Sequence, residues 1–181
     1  MNIDNYIYCK NYINHDECDL LVELMKDYQW KKHVWYSPIK DQSHPEEKDC
    51  EVCLPKEEVK NILINKIKLA LSGYVKKIQL KSAIFHKFAN PRLNRYSVGQ
   101  HMKEHFDHIH SLFDGEVKGV PVLSLVGSLN DDFEGGEFYL NQKPIEINKG
   151  DILIFPSSFM YPHAVKPITK GKRYSYAAWA F

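Results

Sequence analysis

The chain contains 181 residues, 44% of them hydrophobic and 26% charged, which is typical of a globular protein long enough to bury a substantial core. Its formal net charge of +1 excludes an overall electrostatic attraction to nucleic acid or to an anionic membrane, so neither is expected as a partner. There is no membrane-spanning apolar run, no signal-peptide pattern, and too few cysteines (four) for a disulfide scaffold, so we expect a cytoplasmic protein.

Two helices are predicted in the first third of the chain. Asn14 and Glu17 have the spacing of a capping box just ahead of an apolar run, which predicts the start of the first helix. The second helix is expected after Pro55, because apolar residues then recur every three or four positions along one stripe. The residues of this stripe are Val59, Leu63, Ile67, Leu71 and Tyr74.

The segment between these helices, residues 37–55, contains prolines and charges but no periodic pattern, and it is predicted to be a long exposed loop. Within it, Cys50 and Cys53 form a C-x-x-C pair. A zinc site would need two further ligands, and the available histidines are oddly spaced. Because no thioredoxin-like context surrounds the pair either, we interpret the two cysteines as incidental thiols in this loop.

The pattern changes near residue 78, where short runs rich in Val, Ile, Phe and Tyr, beginning with 81–88, alternate with turn residues. Many short strands after two helices predict a mostly β (α+β) protein, with a β-barrel or sandwich core and helices packed outside it. We therefore expect a single domain over residues 1–181. Residues 1–77 would form helical support and a loop, and residues 78–181 the β core.

A candidate metal site begins with the triplet His105-Phe106-Asp107. In a strand, residues i and i+2 point to the same side, so His105 and Asp107 would project together while Phe106 points into the opposite layer. These are two of the three ligands of a 2-His-1-carboxylate metal site. His163 lies 58 positions after His105 and is the best candidate for the third ligand. With nine histidines in the chain, the triplet alone is more simply interpreted as polar strand residues.

A candidate anion site ten positions after His163 changes this interpretation. Arg173 follows Gly171, which would allow a tight turn, so the strands carrying His163 and Arg173 are expected to run side by side. Arg173, Ser175 and Trp179 then share one strand face. Because an unpaired buried charge is costly, a buried arginine near a metal requires an anionic partner. A dicarboxylate that bridges the metal and Arg173 would meet both needs.

Taken together, these residues resemble the 2-oxoglutarate/Fe(II) oxygenases of the prolyl 4-hydroxylase type, including the PKHD-type hydroxylases. The similarity extends over about residues 92–181 and follows an ordered series of motifs: Tyr96, Gly99, the H-x-D triplet, LN-x-x-F-E-G-G-E, K-G-D, P-H, Arg173 and Trp179. The first ninety residues resemble the family only loosely, as a helical flank. The resemblance implies a double-stranded β-helix (jelly-roll) core with flanking N-terminal helices.

The resemblance also implies roles for particular residues. The implied iron ligands, which are also the catalytic centre, are His105, Asp107 and His163. Arg173 would bind the distal carboxylate of 2-oxoglutarate, with Tyr96 and Ser175 as its hydrogen-bonding partners, and Trp179 would line the pocket near the substrate. The implied cofactors are Fe(II) and 2-oxoglutarate, with ascorbate as reductant. The implied reaction hydroxylates a side chain while 2-oxoglutarate is decarboxylated to succinate.

Three local features narrow the implied reaction. Asp107 occupies the position that halogenating relatives fill with a small residue, so hydroxylation is favoured. Trp179 stands where nucleic-acid demethylases of the AlkB type carry a second arginine, which argues against that branch. Arg173 stands where collagen-type enzymes usually have lysine, so collagen is not expected as a substrate. Proline in a peptide or protein is the leading expectation.

Three alternatives remain open. A hydroxylase of a free amino acid or another small molecule would use the same core, in a deep pocket closed by lids formed from residues 37–54 and 110–121. A groove across Trp179 would instead favour a peptide. A non-catalytic metal-binding domain on the same fold, or a cupin-like metalloenzyme, would not require Arg173. The sequence does not indicate the oligomeric state.

Overall fold

The structure is a computed structural model that describes residues 2–37, 42–79, 84–107 and 119–181. A short 3-10 helix, Ile3–Tyr6, and two α-helices, α1 (His15–Leu24) and α2 (Glu57–Ile78), accompany the strands. The strands are β1 (Tyr8–Asn11), β2 (Lys31–Lys32), β3 (Val34–Ser37), β4 (Gln42–Pro45), β5 (Glu51–Cys53), β6 (Arg92–Tyr96), β7 (Met102–His105), β8 (Leu123–Ser128), β9 (Phe133–Gly135), β10 (Phe138–Leu140), β11 (Lys143–Ile145), β12 (Asp151–Pro156), β13 (His163–Val165), β14 (Ile168–Gly171) and β15 (Arg173–Ala180).

Two antiparallel sheets form the centre of the fold. The larger has seven strands in the order β1-β12-β8-β15-β6-β5-β2, and the smaller has four in the order β11-β10-β13-β7. Strands β14 and β9 form a separate pair, as do β3 and β4. Because the neighbours in both sheets are mostly distant in the sequence, the chain crosses repeatedly between the two layers.

Both helices begin where the sequence predicts. The amide of Glu17 donates to the Asn14 side chain at 2.8 Å and the amide of Asn14 donates to the Glu17 carboxylate at 3.2 Å, so the predicted capping box is confirmed. The predicted stripe of α2 is confirmed as well, because all five of its residues are buried. Among the described residues, no helix combines the length and the apolar character needed to cross a membrane.

The larger sheet separates two apolar cores. On its outer face, residues such as Leu93, Leu125 and Ile154 pack against α1 and α2. On its inner face, Val126 and Phe155 pack against residues of the smaller sheet, including Phe138. The period of two along each strand assigns alternate side chains to these two cores.

The prediction of a long exposed loop at 37–55 is wrong for much of that segment. Val34–Ser37 and Gln42–Pro45 pair as an antiparallel hairpin, and Glu51–Cys53 joins the larger sheet beside β6. Because β5 pairs with residues 40 or more positions later in the chain, no local periodicity indicates that strand. Residues 38–41 lie outside the described part of the chain.

Residues 1–77 are therefore more than helical support and a loop. Strand β1 extends one edge of the larger sheet through β12, and β2 and β5 form its other edge. The run 81–88, predicted to be a strand, contributes only an isolated bridge between Phe88 and Ala180 within its described residues. The treatment of 1–181 as one domain stays a prediction.

Candidate active site

The inner face of the larger sheet carries a row of polar side chains in register. Arg173 of β15 lies opposite Tyr96 of β6, and Trp179 lies opposite Ser124 of β8. Between these ends, Ser175 is opposite Asn94 on β6. Residues of this row and of the smaller sheet line one cavity between the two layers.

Three side chains that can each offer a ligand atom to a metal ion meet at one side of this cavity, and we call them the donor group. His105 ends β7, Asp107 follows two residues later, and His163 begins β13, which pairs with β7 so that the two histidines are directly opposite. One ligand atom from each side chain lies within 4.8 Å of the other two. Each imidazole Nε2 is 3.8 Å from a carboxylate oxygen of Asp107. The structure thus brings together all three side chains predicted to bind a metal, and the group could hold one.

Backbone carbonyls orient both imidazoles. The Nδ1 atom of His105 lies 2.8 Å from the carbonyl oxygen of Lys103, and Nδ1 of His163 lies 3.1 Å from that of Tyr161. Because a carbonyl only accepts hydrogen bonds, we assign the proton to Nδ1 in each ring. The Nε2 lone pairs then face Asp107 and each other, as a metal site requires.

Asp107 is held by a hydrogen bond that the sequence prediction missed. The Ser124 hydroxyl donates to Asp107 Oδ2 and also contacts the Ser157 hydroxyl, and Trp179 lies opposite Ser124 on the neighbouring strand. Burial alone would raise the pKa of Asp107, but nearby His163 and the Ser124 hydrogen bond more than offset it and lower the pKa. Asp107 is therefore ionised and fixed in place. The role of Ser124 in holding Asp107 could not be predicted, because a serine belongs to no recognisable spacing pattern.

Aromatic rings enclose the two imidazoles. Phe155 packs edge-on against His163 with ring centroids 5.0 Å apart, and Trp35 packs edge-on against His105 at 5.1 Å. Burial, reinforced by the neighbouring His163, lowers the pKa of His105 to about 4. The Trp35 indole nitrogen in turn donates to the buried carboxylate of Asp49. The β3–β4 hairpin thus forms one wall of the site, a contribution that the sequence did not predict.

The other end of the cavity is an anion-binding arrangement centred on Arg173, which is only 3% exposed. Its Nη1 donates to the Ser175 hydroxyl at 3.1 Å, and its guanidinium lies 5.3 Å from the centre of the Tyr96 ring. No carboxylate among the described residues forms an ion pair with it. Burial lowers the pKa of Arg173 from its ordinary value, as expected for a cation removed from water.

The interpretation of Cys50 as an incidental exposed thiol is wrong. Cys50 is fully buried, and it belongs to the same buried cluster as Tyr96. Burial raises the pKa of the Cys50 thiol to about 11, so it stays protonated. Cys53 is partly buried in β5, and both cysteines are free. Cys50 therefore packs behind the anion-binding end of the cavity.

Two geometric expectations need correction. The strands of His163 and Arg173 are not neighbours, because β13 belongs to the smaller sheet and β15 to the larger. Gly171, with φ of 75°, instead ends β14 beside β9, where an added Cβ would lie 2.5 Å from the Asp132 carbonyl oxygen.

Phe106 is 45% exposed rather than packed into an opposite layer, because β7 ends at His105. Of the second proposed lid, 110–121, most residues lie outside the described chain.

The two-layer antiparallel fold brings a His-Asp-His group and a buried arginine to one cavity. This arrangement is typical of the class of proteins that bind a metal ion together with an organic anion, and comparison with known proteins identifies the family. Residues 91–181 match the sequence profile of the 2OG-Fe(II) oxygenase superfamily, just over half of the chain. The chain belongs to this superfamily, as the resemblance predicts.

The individual relatives agree with this assignment. The chain is 33% identical over 95 residues to a PKHD-type hydroxylase of Idiomarina loihiensis. The aligned region covers 50% of this chain and 41% of that protein. It spans about half the length of the curated relatives that it matches.

Two solved structures have the same fold. One is a viral collagen prolyl hydroxylase from Paramecium Bursaria Chlorella virus-1, in a 2OG complex (TM-score 0.66, 20% identity, 97% of this chain and 94% of that chain). The other is a prolyl hydroxylase from Trichoplax adhaerens, in complex with a hypoxia inducible factor peptide (TM-score 0.69, 17% identity, 98% and 84%). The predicted double-stranded β-helix is therefore confirmed.

Proposed function

We propose that the chain is an Fe(II)- and 2-oxoglutarate-dependent dioxygenase that hydroxylates a substrate side chain and converts 2-oxoglutarate to succinate. The observation that carries the proposal is the buried Arg173, which has no carboxylate partner among the described residues and faces the same cavity as the donor group. An unpaired buried cation is unfavourable, so this end of the cavity fits an anion. A dicarboxylate can bind Arg173 with one end and the metal with the other.

The donor group suits Fe(II). Two neutral imidazoles and one carboxylate on one side of a metal leave further coordination positions open, the arrangement used by non-haem Fe(II) oxygenases. We assign His105, Asp107 and His163 as the ligands and as the catalytic centre. The bound metal would supply oxygen activation, with ascorbate as the external reductant. The protein would keep both Nε2 atoms unprotonated and hold the Asp107 carboxylate through its hydrogen bond with Ser124.

The remaining roles follow the geometry of the row. Arg173 would bind the distal carboxylate of 2-oxoglutarate in a two-pronged contact, which its planar guanidinium favours. Ser175 already accepts from Arg173 and would turn its own hydroxyl proton toward the anion. Tyr96, which packs on the guanidinium, would supply a further hydroxyl. Trp179 lines the cavity near Asp107 and would contact the substrate.

Proline in a peptide or protein is the first substrate that we propose. Its support is the likeness to solved prolyl hydroxylases, one of them in complex with a peptide, and the aromatic wall provided by Trp179. A free amino acid or another small molecule is the alternative substrate. In either case we propose that residues 1–181 act as a single oxygenase domain.

The test is formation of succinate from 2-oxoglutarate by the full chain with Fe(II), ascorbate and a pool of proline-containing peptides. We expect turnover in the wild type, its loss in His105→Ala and Asp107→Ala, and an increased requirement for 2-oxoglutarate in Arg173→Ala. Asp131→Ala, which removes an exposed carboxylate, is the control and should leave turnover unchanged. A wild-type protein that binds no iron and forms no succinate would contradict the proposal.

A further inference from the structure

A second arginine lines the same cavity and is not needed by either cofactor. Arg92 begins β6, on the same strand face as Asn94 and Tyr96, and it lies opposite Ala177 in the register. Under the proposed function, Arg173 binds one end of 2-oxoglutarate and the metal binds the other. Arg92 therefore supplies a positive charge beyond what that dicarboxylate uses.

The guanidinium of Arg92 is oriented but not neutralised. Its Nε donates to the Asn94 side-chain oxygen at 3.1 Å, and its Cζ lies 5.2 Å from the centre of the Trp179 ring. Within the described residues it forms no ion pair and no other side-chain hydrogen bond. The two contacts fix the plane of the guanidinium and leave its terminal N–H groups available, because Arg carries five donors and one of them is used.

Arg95, on the same strand, shows how an arginine with a structural role is satisfied here. Three positions further along β6, it points to the other side, where two of its nitrogens donate to Glu51 at 2.9 and 2.8 Å. It also lies over the Trp30 ring, 4.7 Å from the centroid. Arg92 has the aromatic contact but lacks the carboxylate among the described residues. The difference suggests that the missing anion comes from a ligand.

The position of Arg92 defines where this anion would lie. Trp179 links the two sites, since its ring packs on Arg92 and it lies opposite Ser124, whose hydroxyl donates to Asp107. A carboxylate on Arg92 would thus place the attached carbon skeleton against the Trp179 ring, beside the metal-binding group. Ala177, the small residue opposite Arg92, leaves room for it.

We infer that Arg92 is the substrate-binding residue of this enzyme for a carboxylate group, so that the substrate is a carboxylate-bearing molecule. The inference rests on the proposed function, because it assigns Arg173 and the metal to 2-oxoglutarate. The carboxylate can come from a free amino acid or from an acidic side chain beside the reacting residue in a peptide. Arg92 acts by a charge-assisted hydrogen bond, and Trp179 provides the apolar surface next to it.

The test measures binding without turnover. The full chain is loaded with Zn(II), which has no redox chemistry, and saturated with 2-oxoglutarate. It is then titrated calorimetrically with two matched pairs of probes. One pair is L-proline and L-prolinamide, and the other is acetyl-Gly-Pro-Glu-amide and acetyl-Gly-Pro-Gln-amide. We expect the acid of at least one pair to bind about ten- to a hundredfold more tightly than its neutral partner, the range typical of charge-assisted hydrogen bonds. The pair that discriminates identifies the source of the carboxylate.

Variants assign this preference to one side chain. Arg92→Met should abolish the preference for the acid, Arg92→Lys should keep part of it, and Arg95→Met is the control that should keep all of it. Affinity for 2-oxoglutarate, measured in the same experiment, should change by less than about threefold in Arg92→Met, which also shows that the variant is folded.

Three results would overturn the inference: neither acid binds more tightly than its neutral partner, the preference survives Arg92→Met, or Arg92→Met weakens 2-oxoglutarate binding more than tenfold. The last result would place Arg92 in the cofactor site. If the wild-type protein binds no 2-oxoglutarate at all, the proposed function fails instead, so the two failures are distinguishable.

Discussion

The two faces of the larger sheet are built from alternate residues of the same strands, and both carry apolar side chains, but the inner face also carries a row of polar ones. Along β15, Tyr176, Ala178 and Ala180 face the helices in an apolar core, whereas Arg173 and Ser175 face the cavity. The apolar side chains of the outer face are buried by packing against other parts of the same chain. The inner face retains a cation without a carboxylate partner among the described residues, and the proposed function supplies that partner. Under the proposed function, the outer face contributes stability alone, whereas the inner face combines apolar packing with ligand binding.

Arg173→Met should have the largest effect that separates the two faces. Removing one partner of a buried charge pair costs about 3–5 kcal/mol, so 2-oxoglutarate binding to the Zn(II)-loaded chain should weaken by that amount in calorimetry. The ligand-free variant should at the same time unfold at a higher urea concentration, because an apolar side chain replaces a buried cation.

Arg95→Met is the matched control, since Arg95 pairs with Glu51 at the partly exposed edge of the same sheet. It should change the free energy of unfolding by about 1 kcal/mol or less and leave 2-oxoglutarate binding intact. If Arg173→Met instead destabilised the ligand-free protein, Arg173 itself would be contributing to stability, and the comparison would fail.

Ile154→Ala tests the outer face. Ile154 of β12 is fully buried in the core shared with the helices, and such a truncation lowers the free energy of unfolding by about 2–5 kcal/mol. Affinity for 2-oxoglutarate should be unchanged at a temperature where the variant is folded. Leu69→Ala on α2 is the control, because Leu69 is 58% exposed and its loss should cost under about 0.5 kcal/mol. Loss of ligand binding in folded Ile154→Ala would show that the two faces are coupled.

The sequence was most informative where function demands a particular side-chain chemistry. His105, Asp107, His163 and Arg173 could be selected because imidazole, carboxylate and guanidinium groups at ordered spacings are chemically unusual, and the structure brings them to one cavity. Their assignment to iron and 2-oxoglutarate remains a prediction. The helices were also predictable, since a capping box and an apolar stripe are local signals.

The remaining features could not be read from local patterns. Strand β5 has three residues, and its position depends on pairing with β6, 40 or more positions later in the chain. Trp35 reaches the site only because its hairpin folds over β7, and Cys50 is buried only because β5 lies in the sheet. A serine has no spacing that marks it as a partner of a metal ligand. These roles arise from tertiary contacts, which an isolated sequence does not display.

Ser124→Ala should have the smallest effect, and it sharpens the comparison within the inner face itself. The Ser124 hydroxyl donates to Asp107, and loss of such an outer hydrogen bond typically weakens metal affinity about 10–100-fold. Zn(II) affinity, measured by competition with a chelator, should fall by that factor. Ser124→Thr, which keeps the hydroxyl, should restore most of it.

Ser128→Ala provides the contrast on the same strand and face. Its hydroxyl donates to the Asn130 carbonyl oxygen at 3.3 Å and does not contact a candidate ligand. Its loss should therefore leave Zn(II) affinity unchanged. If Ser124→Ala and Ser128→Ala weakened Zn(II) binding equally, general polarity of the inner face would explain the effect. If only Ser124→Ala does so, the row of polar residues is differentiated, with Ser124 orienting the carboxylate on which the metal site depends.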